Sequence, residues 1–240
     1  MASKVNAKPE RQAAAAAAAA QAAKDRRARI TKIVAGVVVL VLIVAGGVWW
    51  QVQRTSVDTD ADPGPQVSSE KLADGIAVGD ADAPVVDIYL DFLCSHCAEL
   101  EERIGSAVSD MAADGEIRLV IHPITLIDPT ESARSAAAFG CAGGTESVLG
   151  FQAALFENAG GGFSTERLVE IGASVGLTDA AFVQCVEADA EADWATAVDT
   201  AATLRGVEAT PTIFVDGTEM DIQATGTAAS FRAEIAALAG

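Results

Sequence analysis

Four cysteines carry the chemistry open to this 240-residue chain: Cys94, Cys97, Cys141 and Cys185. The first two stand three positions apart, in Cys94-Ser95-His96-Cys97. Two thiols at that spacing close into a disulfide and reopen, passing two electrons to or from a partner thiol. The residues before the pair read as a strand and those after it as a helix, so Cys94 is expected at a helix N-terminus. There the unpaired N–H groups and the helix dipole favour an anion, and a thiolate is that anion. His96 beside it adds positive charge when protonated, and both effects raise thiolate reactivity. Cys94, Cys97 and His96 are therefore the candidate catalytic residues. A C-x-x-C is equally half of a zinc site, which needs two more ligands. The one other histidine is His122, and Cys141 and Cys185 form no second C-x-x-C, so no metal is expected. The cysteine pair is its own redox centre and needs no organic cofactor. No Ser-His-Asp set, phosphate-binding loop or pair of carboxylates offers a different chemistry.

The pair has to be held by the elements around it. Pro84–Asp91 (PVVDIYLD) is dominated by β-branched and aromatic residues and reads as a buried strand. From Cys97 to Ala113, apolar residues recur at Leu100, Ile104, Ala107, Val108 and Met111, a helical spacing. Ile117–Ile121 reads as a second strand, stopped by Pro123. Strand, helix and strand in that order predict a right-handed βαβ unit. Residues 130–205 are Ala-rich and break into helical pieces at Thr130–Ala142, Glu146–Glu157, Ser164–Val175, Asp179–Glu187 and Ala190–Leu204, with glycines between them. Thr212–Val215 returns to strand, Asp216-Gly217 is a two-residue hairpin signal, and Thr218–Ile222 pairs back. Ala228–Leu238 closes the chain as a helix.

Two stretches, GDADAPVVDIYLDFLCSHCAELE (Gly79–Glu101) and GVEATPTIFVDG (Gly206–Gly217), together resemble the DsbA-like branch of the thioredoxin superfamily. The resemblance covers about residues 71–240. It implies an α/β, thioredoxin-like fold with a helical block inserted at about residues 129–205. It implies that Cys94 exchanges with the substrate thiol and that Cys97 resolves the mixed disulfide. It maps a cis-proline facing the pair onto Pro211, after Thr210, as the place where substrate backbone is held. It also implies a quinone-linked membrane oxidase as the reoxidising partner. Two positions depart from the family. Ser95 stands where the best-known oxidases have proline, which leaves the redox potential open, although His96 keeps its place. Many relatives carry a buried acid six residues before the first cysteine, thought to assist proton transfer, and here that position is Ile88. Asp87 points to the opposite face of the strand. Asp91, on the face of Asp87, reads as a cap or turn residue.

Cys141 and Cys185 fall on two different predicted helices of the block. Four cysteines allow three pairings, and with 94–97 local, a structural Cys141–Cys185 disulfide is the remainder. Two buried free thiols, or a second redox-active pair, are the alternatives. His122 reads as a strand-end residue with no site around it. Trp194 and the phenylalanines at 139, 151, 156, 182 and 231 read as core, or as the lining of a groove.

The net charge of −18 argues against a nucleic-acid-binding surface, which would be basic. It also hides a split, for residues 1–32 carry a net +6 and residues 55–240 a net −25. Between them, Ile33 to Trp50 is an uncharged apolar run of eighteen residues, about 27 Å as a helix, against a hydrocarbon core of about 30 Å. Trp49 and Trp50 at its end suit the membrane interface, and the basic residues before it keep the N-terminus in the cytoplasm. The expected organisation is a low-complexity basic tail over 1–32, with unbroken alanine at 13–20, a transmembrane anchor over 33–52, a linker over 53–70 and a folded domain over 71–240. The domain then lies outside the cytoplasmic membrane, where disulfides persist. A cleaved signal peptide is the rival reading of the apolar run.

These readings point to an extracytoplasmic disulfide oxidase, tethered to the cytoplasmic membrane, that accepts electrons from reduced cysteines of exported proteins. A disulfide reductase or isomerase on the same fold is one alternative. A non-enzymatic thioredoxin-like module binding a metal or a partner is the other.

Overall fold

The computed structural model describes Lys24, Arg29, Thr31, Lys32, residues 35–47, Trp49, Val57, residues 64–222 and residues 226–239. The chain forms two units, residues 1–54 and residues 55–240. In the first, residues 35–47 are helical. Val37, Leu40, Leu42 and Ile43 on that stretch are exposed. Among the described residues no helix is long and apolar enough to cross a membrane. Ile33, Val34, Val48 and residues 50–52 of the expected anchor lie outside the described residues. So do the alanine tract and residues 53–56 and 58–63 of the expected linker.

The second unit has the α/β architecture that the resemblance implies. Its strands are β1 (Ser69–Lys71), β2 (Ile76–Gly79), β3 (Val85–Leu90), β4 (Arg118–Pro123), β5 (Thr212–Val215) and β6 (Thr218–Glu219), in one sheet of order β1-β2-β4-β3-β5-β6. Among the described residues only β3 and β4 pair in parallel, joined by the crossover that carries the cysteine pair. That crossover is α1 (Ser95–Leu100), a π-helical stretch (Glu101–Gly105) and α2 (Ser106–Ala113). The helical block follows β4 as α3 (Glu131–Ala142), α4 (Val148–Asn158), α5 (Thr165–Ser174), α6 (Ala180–Glu187) and α7 (Ala192–Arg205), and α8 (Ala228–Leu238) ends the unit.

β3 is the central strand and is covered on both faces. Val86, Ile88 and Leu90 share one buried cluster with Leu100, Ile104 and Val108 of the crossover and with Phe231 and Ile235 of α8. Tyr89, on the other face, packs with Ile124 and with Val198 and Ala202 of α7. The main cluster continues into the helical block, where Phe139, Phe151 and Phe163 are fully buried. Burial of each such side chain contributes roughly 1.5–3 kcal/mol relative to its exposed state. Asp216 (φ 46°) and Gly217 (φ 83°) turn β5 into β6, the two positive φ angles of a type I′ hairpin loop. The Asp216 carboxylate also accepts a 2.9 Å hydrogen bond from the Val85 N–H, tying that turn to the start of β3.

Three local features differ from the sequence reading. The folded unit begins ahead of Lys71, because Ser69 and Glu70, read as linker, belong to β1. β1 and β2 leave no pattern to read, one being three residues of edge strand and the other four residues ending in glycine. The continuous helix expected from Cys97 to Ala113 is interrupted by the π-helical stretch. Apolar spacing is almost the same for both helix types at this length, so the interruption is invisible in it.

Candidate active site

β3 ends at Leu90, and Asp91, Phe92 and Leu93 turn the chain into α1. The turn closes through a 2.9 Å hydrogen bond from the Cys94 N–H to the Asp91 carbonyl. Cys94 is the N-cap of α1, with extended backbone, and its carbonyl accepts from the Ala98 N–H at 3.1 Å. Its thiol does not cap the helix. Sγ instead lies 3.4 Å from the Thr210 carbonyl oxygen, 116 residues away in sequence. The Thr210–Pro211 peptide is cis, and Pro211 lines a cavity together with Cys97.

Cys94 and Cys97 are free thiols, both buried. Burial pushes the Cys97 thiol up to about 12, with the neighbouring Cys94 adding to it and the hydrogen bond to the Asp91 backbone opposing it. Cys97 lines a narrow cavity of about 20 Å³ together with Ile88, Leu90, Glu101 and Pro211. The two cysteines are thus unequal. Cys94 faces the Thr210 carbonyl at the mouth of the turn, and Cys97 sits one step behind it in a largely apolar pocket. His96 is on the open side of α1, about three-quarters exposed, with Nδ1 3.6 Å from a Glu99 carboxylate oxygen.

Cys141 and Cys185 are joined by a disulfide, with a Cα–Cα distance of 5.8 Å, linking α3 to α6 within the helical block. Among the described residues, no three His, Cys, Asp or Glu side chains converge on a point where a metal would sit.

Two acids on β3 and its turn do more than the sequence reading allowed. Asp91 is fully buried. One oxygen accepts from the Leu93 N–H (2.8 Å) and the Ser132 hydroxyl (2.9 Å). The other accepts from the Leu126 and Ile127 N–H groups, both at 2.8 Å. It is a turn residue, as its position implied, but it also ties α3 and the loop after β4 to the turn that carries Cys94. Asp87 sits on the opposite sheet face from Ile88. It meets His122 Nε2 at 3.0 Å and Arg205 of α7 at 3.0 Å. His122 lies between two acceptors, its Nδ1 being 2.6 Å from the Asp74 carbonyl. Its ring stacks on Tyr89 at 4.3 Å, and the Arg205 guanidinium covers Phe214 at 4.0 Å. His122 is therefore part of a buried polar network and is no isolated strand-end residue. Strand register is the signal that finds it: β3 and β4 pair Tyr89 with His122, which puts Asp87 two residues away on the same face.

Trp194 donates its indole N–H to the Leu72 carbonyl at 2.8 Å, joining α7 to the β1–β2 turn. It packs between sheet and helices, with its ring against Gly140 of α3. Glu101, in the wall of the Cys97 cavity, was not singled out by its sequence context.

The thioredoxin family profile matches residues 71–235. Among solved structures, reduced DsbA from Mycobacterium tuberculosis is 26% identical with a TM-score of 0.59, covering 70% of this chain and 93% of that one. MdbA from Actinomyces oris, a thiol-disulfide oxidoreductase, is 25% identical with a TM-score of 0.62, covering 77% of this chain and 98% of that one. The reduced disulfide bond oxidoreductase DsbG from Mycobacterium tuberculosis is 25% identical with a TM-score of 0.58, covering 76% and 93%. No curated protein matches the chain significantly.

Proposed function

The chain belongs to the thioredoxin family and to its thiol-disulfide oxidoreductases, and on that premise we propose that it works as a disulfide oxidase. The observation that carries this reading is the unequal placement of the two thiols, Cys94 at the start of α1 against the Thr210 carbonyl and Cys97 buried behind it. In the oxidised enzyme, a substrate thiolate attacks Cys94 Sγ. The Cys94–Cys97 bond breaks, its electron pair goes to Cys97, and a mixed disulfide forms on Cys94. A second substrate thiolate then attacks the substrate sulfur and expels Cys94 as a thiolate. The substrate leaves with a disulfide and the enzyme keeps two electrons. Cys94 is favoured as leaving group because it stands at the N-terminal end of α1, where the helix dipole favours negative charge. The backbone edge at Thr210 and Pro211 is the surface on which an extended substrate segment lies during this exchange. His96, exposed on α1, adds positive charge at the same helix end when protonated.

We place the reaction outside the cytoplasmic membrane, on exported proteins, with a quinone-linked membrane oxidase returning the enzyme to the disulfide form. Cys141–Cys185 supports an oxidising compartment, since such bonds persist there and are rare in reducing ones. The uncharged run at 33–50, the basic residues before it and the exposed apolar residues Val37–Val44 support a single membrane anchor with a cytoplasmic N-terminus.

The deciding experiment is the redox potential of the Cys94–Cys97 pair, by equilibration with glutathione and mass spectrometry. An oxidase lies toward the value of about −120 mV known for a strong oxidant, whereas a value near about −270 mV, typical of a reductant, overturns the reading. Separation of membranes from soluble protein checks the anchor, the expected result being a full-length chain in the membrane fraction.

A further inference from the structure

The Thr210 carbonyl meets Cys94 from a loop, residues 206–211, that runs from the end of α7 to the start of β5. So short a loop is placed by its two ends. The far end is fixed by the sheet, where Thr212 pairs with Tyr89 of β3. Within the loop, the Thr212 hydroxyl donates to the Ala209 carbonyl at 2.8 Å. At the near end Gly206 takes φ 83°, and the Gly206 and Val207 N–H groups close the helix on the Thr203 and Ala202 carbonyls. That closure shapes the end of α7 without attaching it to the sheet.

The attachment comes from side chains. Ala202 and Val207 join the apolar cluster of Tyr89, and Leu204 between them is exposed. The polar attachment is Arg205. Its Nη1 donates to Asp87 Oδ2 at 3.0 Å and to the Tyr89 hydroxyl at 3.3 Å. Its guanidinium lies 4.0 Å from the centre of the Phe214 ring. One side chain thus grips β3 at two residues and β5 at a third. Apolar contact is non-directional and lets a helix end slide, whereas a charge-assisted hydrogen bond to a fixed acceptor sets where it stops. The acceptor is fixed here, because the other Asp87 oxygen faces His122 Nε2 at 3.0 Å, and His122 Nδ1 is 2.6 Å from the Asp74 carbonyl. The spacing along the chain is matched as well. Tyr89 precedes Cys94 by five residues, and Arg205 precedes Thr210 by five. The turn with the nucleophile and the loop facing it are both held from one cluster of side chains.

We propose that Arg205 is a positioning residue for the substrate. Gripped by Asp87 and Tyr89, it fixes the α7 end of the 206–211 loop, and through it the Thr210 backbone on which an extended substrate lies while Cys94 exchanges. This rests on the reading of Cys94 and Cys97 as the exchanging pair and of Thr210–Pro211 as the substrate edge. Arg205 touches neither sulfur nor substrate. It acts through the loop, so its loss is felt by a substrate that uses the loop and much less by a thiol that does not. The Arg205 side chain is 31% exposed, so a substitution there opens no core cavity.

The test compares two reductants of the oxidised full-length chain. One is an extended peptide with two cysteines, which leaves as a disulfide. The other is dithiothreitol, which gives up the same two electrons but has no peptide group to lie on the loop. Arg205→Met keeps a long stem over Phe214 and removes the donors, and Arg205→Lys keeps the charge without the planar fork. A misplacement of about 1 Å by a remote mutation can cost about 10²-fold. Arg205→Met is therefore expected to lower the ratio of peptide rate to dithiothreitol rate at least about tenfold, mostly as a raised KM for the peptide. Arg205→Lys restores part of the ratio. Asp87→Asn lowers it too, and adding Arg205→Met to Asp87→Asn lowers it little further, because the two act as one unit. Peptide and dithiothreitol rates that fall in parallel, or that both stay at the wild-type value, overturn the positioning role and leave the exchange reading intact. A wild-type chain that oxidises no peptide removes the reading on which the proposal rests. Should Arg205→Met not fold, Arg205→Lys carries the test alone. A ratio lowered about threefold or more upholds the role, and an unchanged ratio sinks it.

Discussion

Cys94 and Cys97 are three residues apart and both buried, but their sulfurs have different surroundings. Cys94 stands at a helix start, with a carbonyl 3.4 Å from its sulfur. Cys97 is 2% exposed, and its proton is held by burial up to about pH 12. The reduced chain, treated with iodoacetamide at about pH 8, is therefore expected to take one label on Cys94 and none on Cys97 until it is unfolded. Peptide mapping reads this directly, and equal labelling of both cysteines would show that Cys97 is not shielded. Replacing Cys97 with alanine leaves nothing to close the intramolecular disulfide. That variant should accumulate a stable adduct with a thiol-bearing peptide disulfide, and Cys94→Ala should form none.

At the scale of elements, β3 is a two-sided device. Its even-numbered residues Val86, Ile88 and Leu90 pack the crossover that carries the cysteines, and Asp87 and Tyr89 hold the opposite layer. Asp91 then fastens the turn to α3 and to the loop after β4 through three hydrogen bonds, with a fourth inside the turn. Asp91→Ala strands three donors on the backbone and one on Ser132, at roughly 1–3 kcal/mol for a buried group left unsatisfied. We expect a loss of about 3 kcal/mol or more in chemical denaturation, and slower exchange at Cys94, whose N–H closes that turn. Asp87 has a different signature. Burial alone would raise its carboxyl, but the hydrogen bond and charge of His122, and then those of Arg205, outweigh it and leave it lowered. A lowered folded value stabilises above the unfolded value of about 3.9 and is lost as pH falls through the folded one. Asp87→Asn should cost about 2–3 kcal/mol at neutral pH, and the difference from wild type should shrink only below about pH 4. A gap that persists unchanged at pH 2 would rule out the ion-pair account.

Over the whole molecule, the −18 net charge divides between a basic first unit and an acidic second one. Within the second, the Cys141–Cys185 bond ties α3 to α6 across a sequence separation of 44. Closing a loop of that length contributes about 4 kcal/mol by restricting the unfolded chain. A Cys141→Ala, Cys185→Ala double variant should melt about 10 °C lower by calorimetry. Its Cys94–Cys97 exchange, measured below that temperature, should be retained. Loss of exchange in a chain that stays folded would give this second pair a redox role.

What the residues alone determined is what is local. Cys94-x-x-Cys97 between a strand and a helix, the alternation of β3, the Asp216-Gly217 turn and the helical pieces of the block each lie within one short window. Side-chain period and turn chemistry operate over such windows. The thioredoxin-like α/β class was legible because two separated motifs agreed, one around Cys94 and one around Pro211. What the tertiary structure decided is what depends on register and approach. It brings the Thr210 carbonyl to Cys94 across 116 residues, groups Asp87 with His122 and Arg205, and uses Asp91 to join three segments. It also turns Glu101, one acid among several in its stretch, into the single acid lining the cavity at Cys97. A π-helical turn and a missing side chain at Gly105 give it that place, and neither leaves a mark in the spacing of apolar residues. The physical reason is that burial and hydrogen-bond partners are properties of neighbours in space, and a carboxyl or a thiol takes its chemistry from them.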